Sequence, residues 1–468
     1  MTLEPAISPS IESDQFGCWS GSATILPDGT PMIVYTGLNR IQGNDTNYQV
    51  QNVAYPKDAS DPLLREWVKP DYNPIILPEA GLNATQFRDP TTAWKGPDGR
   101  WRLLVGNEKG QEGRALVYRS WDLKAWERAE QPLHSAITAM WECPDFFPVA
   151  AAGSEDALDL SSSSGDAVKH VLKSSLPFLW NDYYTIGTYD AGTDSYVPDD
   201  PAGDYNRTRY DYGTFYASKT FYDPAKQRRV LWGWVNESDT ATADAAKGWR
   251  GSRRSRARSG STPAGSSWCS GPSRRSRASE GSRPLYATRL SDMENTLRSK
   301  LVFETPSLDK AEPFDPSFSN DAQKLCNMKG ADVGGGVGPF GLWVLASSNL
   351  DERTAVFFRV FRAYNGRPVV LMCSDTTRSS LSPDLYMPRV AGFVDTDITD
   401  GKISLRTLID RSVIESFGAG GKTCILSRVY PSLATGRSAH LFVFNNGEED
   451  IKVQHLTAWE MNNAQFSE

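Results

Sequence analysis

SATILPDGTPMIVYTG, residues 22–37, decides the fold of this chain. Ser22–Leu26 is short and β-prone, Pro27-Asp28-Gly29 supplies turn chemistry, and Met32–Gly37 is rich in β-branched and aromatic residues, so the stretch reads as two antiparallel strands joined at an Asp-Gly turn. The plan returns in TTAWKGPDGRWRLLVG, residues 91–106, with strands at Thr91–Trp94 and Trp101–Gly106 around Pro97-Asp98-Gly99. Further apolar runs at 115–118, 182–189, 215–221 and 230–235 are each fenced by Gly, Asp, Pro or Asn. Many short strands at this spacing suit stacked small sheets, as in a propeller, or a sandwich; spacing alone does not choose.

Outward from these hairpins, the 468 residues are too long for one ordinary domain and long enough for two cores. Aromatic residues at 11%, with 38 Gly and 29 Pro, argue against an all-helical fold. Beyond Leu301 a second family of strands is expected at 342–346, 355–361, 368–373, 402–409, 413–417, 423–430 and 440–444, which reads as a β-sandwich. Cys326 and Cys373 are the pair expected to bridge there if the chain is secreted, although sequence does not fix connectivity.

Several function classes drop out. No apolar run approaches the roughly 18 residues a membrane-spanning helix requires. MTLEPAISPS at the start has no charged and apolar regions of a secretory signal. The six cysteines form no C-x-x-C pair, so no zinc site, and no metal or cofactor, is expected. Gly336–Gly341 matches G-x-G-x-x-G, but a strand follows where a dinucleotide fold needs a helix. Four scattered histidines and the lack of a G-x-S-x-G elbow argue against a serine hydrolase. Four sequons, at Asn44, Asn83, Asn206 and Asn236, fit a glycosylated secreted protein.

The formal net charge of −7 hides an asymmetry: nine Arg and one Glu between Arg250 and Pro284 give a local +8, which leaves −15 on the rest. That segment loses all hydrophobic periodicity, and with Trp268 as its one aromatic it makes no stacking platform for RNA, so no nucleic-acid partner is expected. It reads either as a basic linker or as a reading-frame error. With GC-rich codons, a shifted frame over Ser255–Pro284 yields PRKVWLDPSGKQLVQWPIEEVESLRGKQ, which carries a turn, apolar strands and an acidic amphipathic stretch; genomic reads across the segment decide between the two.

Carboxylates are the remaining candidates for polar chemistry. In Phe87-Arg88-Asp89-Pro90 an arginine beside an aspartate can hold it ionised. In Met140-Trp141-Glu142-Cys143-Pro144-Asp145-Phe146-Phe147 an acid lies between bulky apolar groups, where desolvation is expected to favour its protonated form. Together Asp89 and Glu142 offer the two-carboxylate logic of glycoside hydrolysis, with aromatic residues as platforms for sugar rings.

At these motifs the chain resembles plant glycoside hydrolases of family 32. The resemblance rests on WSGSAT (Trp19–Thr24), FRDP (Phe87–Pro90), WECPDF (Trp141–Phe146), FYASKTFYDP (Phe215–Pro224), WGWVNESD (Trp232–Asp239) and SVIESFGAGGKTCILSRVYP (Ser412–Pro431), and is strongest toward cell-wall invertases and fructan exohydrolases. It implies an all-β chain: a five-bladed propeller with an incomplete first blade over 1–249, an aberrant Arg/Ser-rich segment and linker over 250–295, and a β-sandwich over 296–468. It further implies retaining hydrolysis of terminal β-fructofuranosyl groups of sucrose or fructans, outside the cell in the wall or apoplast or in the vacuole, by a monomer. By the family's pattern Glu142 is the acid/base and Asp89 the transition-state stabiliser, with Arg88 beside it. Trp19 and Ser20 line the fructose pocket with Trp141, and Asp239 helps select the leaving group. The basic residue that can support such an Asp in invertases is replaced by Thr240, Ala241 and Thr242. The family's nucleophile block, W-M-N-D-P-N-G, has no match upstream of Trp19, and neither Asp14 nor Asp145 has its setting, so little or no activity is expected. A non-catalytic fructoside-binding or regulatory protein, or a non-functional gene product, are the alternatives.

Overall fold

The computed structural model of the chain describes residues 5–40, 47–150, 157–160, 168–247, 252–257, 296–304, 307–396, 398 and 400–461. They are built almost entirely from strands, and no helix among them exceeds seven residues. Two compact units result: Met1–Arg209 with Ala217–Leu231, and Tyr210–Tyr216 with Trp232–Arg258 and the described part of Ser267–Glu468. Residues 258–284 of the expected frame-error segment lie outside the described residues, as do Asn44 and Cys269.

The first unit is a succession of small antiparallel sheets. Gly17–Ile25, Pro31–Arg40, Asn47–Pro56 and Trp67–Val68 pair in chain order. At the Asp-Gly turn between the first two, Gly29 takes a φ of +87°, a value that strains any residue with a Cβ. The sequence expects an incomplete first blade; this first sheet holds four strands, the last of two residues. The second sheet runs Phe87–Arg88, Trp101–Lys109, Glu112–Ser120 and His134–Ala136, with Trp94–Lys95 and Glu127–Arg128 as short flanking partners. Glu142–Ala150, Val168–Leu176, Asn181–Asp190 and Ser195–Pro198 make the third. A three-stranded sheet of Phe215–Asp223, Arg228–Val235 and Ser252–Ala257 supplies residues to both units.

Meanders of this size are propeller blades, and the packing shows how they stack. Successive strand residues face opposite ways, and in Trp101–Lys109 the two faces enter different cores. Leu103 and Val105 join Met32, Val34 and Val53 of the first sheet, whereas Leu104 joins Phe146 and Leu172 of the third. Tyr118 and Val117 divide in the same way. A blade covered on both faces needs no polar alternation, which is why Leu103-Leu104-Val105 is apolar at successive positions. Burying a Leu or Val this fully stabilises by about 1.5–3 kcal/mol each.

The second unit carries a sandwich. One sheet orders Thr423–Arg428, Val413–Gly418, Lys402–Asp410, Thr296–Glu304 and Lys452–Met461; the other orders Arg389–Val394, Pro368–Arg378, Arg353–Arg362, Val337–Ala346 and His440–Asn445. Inward residues of both, among them Leu301, Phe303, Phe340, Phe358, Met372, Leu405 and Ile425, form one core. On the outer face of the second sheet Cys326 and Cys373 are joined by a disulfide, with Cα atoms 6.2 Å apart, in a cluster with Phe357 and Leu371.

Candidate active site

Trp19, Arg88, Asp89 and Glu142 come from the first, second and third sheets, each at a place where a strand begins, ends or breaks register. The ladder between Gly17–Ile25 and Pro31–Arg40 shifts between Trp19 and Gly21, and the one between Glu142–Ala150 and Val168–Leu176 shifts between Glu142 and Asp145. Bulges of this kind re-aim side chains at functional sites. Asp89 and Cys143 have φ values of +66° and +45°, which cost residues with a Cβ about 1–3 kcal/mol each. Such strain persists only where neighbours over-determine it.

Those neighbours are specific. The Asp89 N–H donates to Thr36 Oγ1 at 2.8 Å, and the Cys143 N–H donates to Asp89 Oδ2 at 2.8 Å. Thr36 Oγ1 also lies 3.1 Å from the carbonyl of Ser20 and 3.0 Å from Gln51 Oε1. Gln51 Nε2 donates to the Phe87 carbonyl, and Gln49 Oε1 accepts from the Phe87 N–H at 2.8 Å and from Arg88 Nη1 at 3.1 Å. One buried amide pair therefore ties the first sheet to the FRDP strand.

Arg88 is the electrostatic centre. Its Nη2 donates to Glu142 Oε1 at 2.6 Å, its Nε stands 3.9 Å from Asp89 Oδ2, and its guanidinium lies 5.9 Å from the centre of the Trp19 ring. Asp89 is 3% exposed. Burial pushes its carboxyl pKa above the ordinary value, while the positive Arg88 and Lys219 and the Cys143 N–H pull it back. The Cys143 thiol is pushed far up by burial and by Asp89, so it stays protonated.

Two sequence expectations change here. Glu142 does not lie in an apolar pocket: Trp141 and Cys143 beside it turn into the core, while its own carboxylate is 20% exposed and paired with Arg88. Trp141 does not face a pocket at all. It is 0% exposed, donates from Nε1 to Thr138 Oγ1 at 2.6 Å, and packs against His134 and Tyr183. A Cβ on Gly113 would meet its ring at 2.4 Å, so this ring is fitted beneath the Glu142 strand as support.

Trp19 and Ser20 are exposed beside this cluster, as a surface for a ligand requires. Asp239 belongs to the second unit, half-buried, where its carboxylate and those of Glu237 and Asp244 come within 4.8 Å of one another; Glu237 pairs with Arg428 at 2.7 Å. Asn83 and Asn206 are exposed, and Asn236 is half-buried.

Asp14 and Asp145 are committed elsewhere. Asp14 is fully buried, ion-paired with Lys69, and accepts from Tyr35 Oη at 2.6 Å and from the Ser10 N–H at 2.9 Å. Burial raises its carboxyl pKa, but these partners outweigh it and hold the group below the usual range. Asp145 Oδ2 accepts from the Thr220 N–H at 2.8 Å and its hydroxyl at 2.6 Å. Sequence reasoning missed Thr36, Gln49, Gln51, Lys173 and Lys219. Only Lys219 stood in a motif, FYASKTFYDP, and nothing local marks the others.

With this geometry in hand, comparison with known proteins finds two family models along the chain. The N-terminal domain of glycosyl hydrolases family 32 matches residues 1–258, and the family's C-terminal domain matches residues 292–460. The chain is 59% identical to a beta-fructofuranosidase, insoluble isoenzyme 2, of Oryza sativa subsp. indica, over 98% of this chain and 80% of that protein. It is 60% identical to a cell wall isozyme of beta-fructofuranosidase from Zea mays, again over 98% and 80%. Among solved structures, a fructan 1-exohydrolase IIa from Cichorium intybus in complex with 1-kestose superposes with a TM-score of 0.92 at 44% identity, covering 99% of this chain and 87% of that one.

Proposed function

Since the chain belongs to glycosyl hydrolase family 32, with the β-fructofuranosidases as its relatives, we propose that the Arg88–Asp89–Glu142 cluster binds a terminal β-fructofuranosyl group of sucrose or a fructan. The single observation that carries this is the convergence of two carboxylates on one arginine, with Glu142 held at 2.6 Å and Asp89 turned toward the same guanidinium. In this reading Glu142 protonates the leaving oxygen, its partial exposure giving access to substrate. Asp89, aimed by the Cys143 and Thr36 hydrogen bonds, accepts from fructosyl hydroxyls and opposes the positive charge that develops on the ring. Trp19 and Ser20 supply the exposed wall. The relatives' names, insoluble and cell wall isozymes, support a place in the wall.

Retaining hydrolysis needs a second carboxylate about 5–5.5 Å from the acid/base to attack carbon. Among the described residues Asp14 and Asp145 are occupied by Lys69, Tyr35 and Thr220, and neither is free to attack. We further propose, because no W-M-N-D-P-N-G motif occurs in the sequence, that the 468 residues expressed by themselves bind fructosides with negligible turnover; loss of one member of a catalytic unit costs about 10⁴–10⁶ in rate. Calorimetric titration with sucrose and 1-kestose, alongside an assay of released fructose, tests both parts. Binding without turnover is expected. Absence of binding refutes the site, and fructose release that Glu142→Gln abolishes refutes the loss of activity.

A further inference from the structure

Behind the two strained turns stand two lysines. Lys219 Nζ lies 3.1 Å from the Asp89 carbonyl, 2.9 Å from the Pro90 carbonyl and 3.0 Å from Ser22 Oγ, whose own hydroxyl donates to Pro90 at 2.9 Å. Lys173, 0% exposed, donates to the Cys143 carbonyl at 3.2 Å, to Ser175 Oγ at 2.8 Å and to the Ser218 carbonyl, with Asp182 at 3.4 Å. Each ammonium has three N–H donors, and each meets three acceptors. Burial lowers the Lys219 pKa, and nearby Asp145 and Asp89 oppose that shift. Lysines usually put their charge in water; these two put it on the main chain of residues 89, 90 and 143.

Resting on the fructoside reading above, we propose that Lys219 and Lys173 are positioning residues of the site, each gripping from behind the left-handed turn that aims one carboxylate. Lys219 fixes the carbonyl of the Asp89–Pro90 peptide and that of the following Pro90–Thr91 peptide, so the Asp89 side chain has one direction in which to project. Lys173 fixes the Cys143 carbonyl, which keeps the Cys143 N–H turned onto Asp89 and sets Glu142 at the start of its strand facing Arg88. Neighbouring segments contribute: Ser218, whose carbonyl Lys173 holds, precedes Lys219, and Asp182 accepts from the Ala217 and Ser218 N–H groups at 3.2 and 2.9 Å. The two grips are thus one assembly centred on the FYASK strand.

The groups facing Asp89 are Arg88, Glu142, the Cys143 thiol and Lys219. Lys219 favours the ionised carboxylate, so its removal raises the pH at which Asp89 takes up a proton. The test uses the full chain carrying Lys219→Met, which keeps the stem without donors, and Lys219→Gln, which keeps donors without charge. Two readouts are taken: 1-kestose affinity by calorimetry, and the pH midpoint of the Asp89 side-chain carbon signal by NMR. Lys219→Met is expected to weaken affinity on the order of tenfold and to move the Asp89 midpoint upward. Lys219→Gln regains part of the affinity and none of the midpoint. If Lys219→Met does not fold, Lys219→Gln and Ser22→Ala decide, the latter with an expected loss of roughly threefold for one missing acceptor. Folded variants that match the parent in both readouts overturn the proposal. Failure of the parent to bind 1-kestose refutes the fructoside reading instead, and the Asp89 midpoint still decides the role of Lys219.

Discussion

Replacing Arg88 by lysine keeps the charge and the approximate length of the side chain, so any effect must come from the fork. The guanidinium uses Nη2 on Glu142 at 2.6 Å and Nη1 on Gln86 Oε1 at 2.8 Å, Gln49 Oε1 at 3.1 Å and the Thr85 carbonyl at 3.2 Å. A single ammonium cannot serve the Glu142 side and the Gln49 side together. If it follows Glu142, the buried Gln49 oxygen keeps only the Phe87 N–H; if it follows Gln49, Glu142 loses the Arg88 hydrogen bond. A hydrogen bond to a charged group contributes about 1.5–3 kcal/mol, and the 20% exposure of Glu142 places its share at the lower end. A net loss of about 2 kcal/mol in holding the site follows, which corresponds to roughly 30-fold weaker binding of 1-kestose. Calorimetry on the parent and Arg88→Lys reads this directly, with near-ultraviolet circular dichroism to show that both are folded. Binding by Arg88→Lys within threefold of the parent refutes the argument that the fork, and not charge alone, organises the site.

Two further outcomes concern stability. His170 is 3% exposed and stacked 5.0 Å from Phe146, and burial pulls its pKa down from 6.5 to about 4. The unfolded chain binds this proton first, so stability is unaffected above about pH 6.5, falls from there to pH 4, and loses up to about 3 kcal/mol; thermal melts of His170→Phe should lack this part of the acid slope, and an unchanged slope contradicts it. Opening the Cys326–Cys373 bridge, which spans 47 residues, should remove about 4 kcal/mol through the loop entropy of the unfolded chain. A melting temperature of the Cys326→Ser, Cys373→Ser chain equal to the parent's would refute that.

The two Asp-Gly hairpins were legible because turn chemistry and β-prone residues are local: Ser22–Ile25 falls within Gly17–Ile25, Met32–Gly37 within Pro31–Arg40 and Trp101–Gly106 within Trp101–Lys109, whereas the strand expected at Thr91–Trp94 is reduced to Trp94–Lys95. The strand Val168–Leu176 was not legible. Its sequence, VKHVLKSSL, places Lys173, Ser174 and Ser175 in the interior, with Lys173 held by the distant Cys143 and Ser218 carbonyls, and no hydrophobic pattern reveals such a strand. Asp89 and Glu142 were found as acids in unusual settings, but the supposed apolar pocket around Glu142 was a misreading of alternation: in the bulged strand Trp141 and Cys143 go inward and Glu142 stays at the edge. What sequence could not supply is the grip from behind, because Thr36, Gln49, Gln51 and Lys173 become site residues only by tertiary placement.

Several contacts that aim the carboxylates are distant along the chain. Thr36 and Asp89 are 53 residues apart, Asp89 and Cys143 are 54, and Lys219 and Asp89 are 130. Such contacts close only after the intervening sheets have formed, since the entropy of closing a long loop must be met before the contact can reward it. During synthesis, then, the first two hairpins can fold as they emerge, but no carboxylate is correctly aimed until the ribosome has passed residue 219. A chain released earlier would hold every acid of the cluster without the strand that positions Asp89, so on the proposed reading fructoside binding is expected only once the FYASK strand is complete.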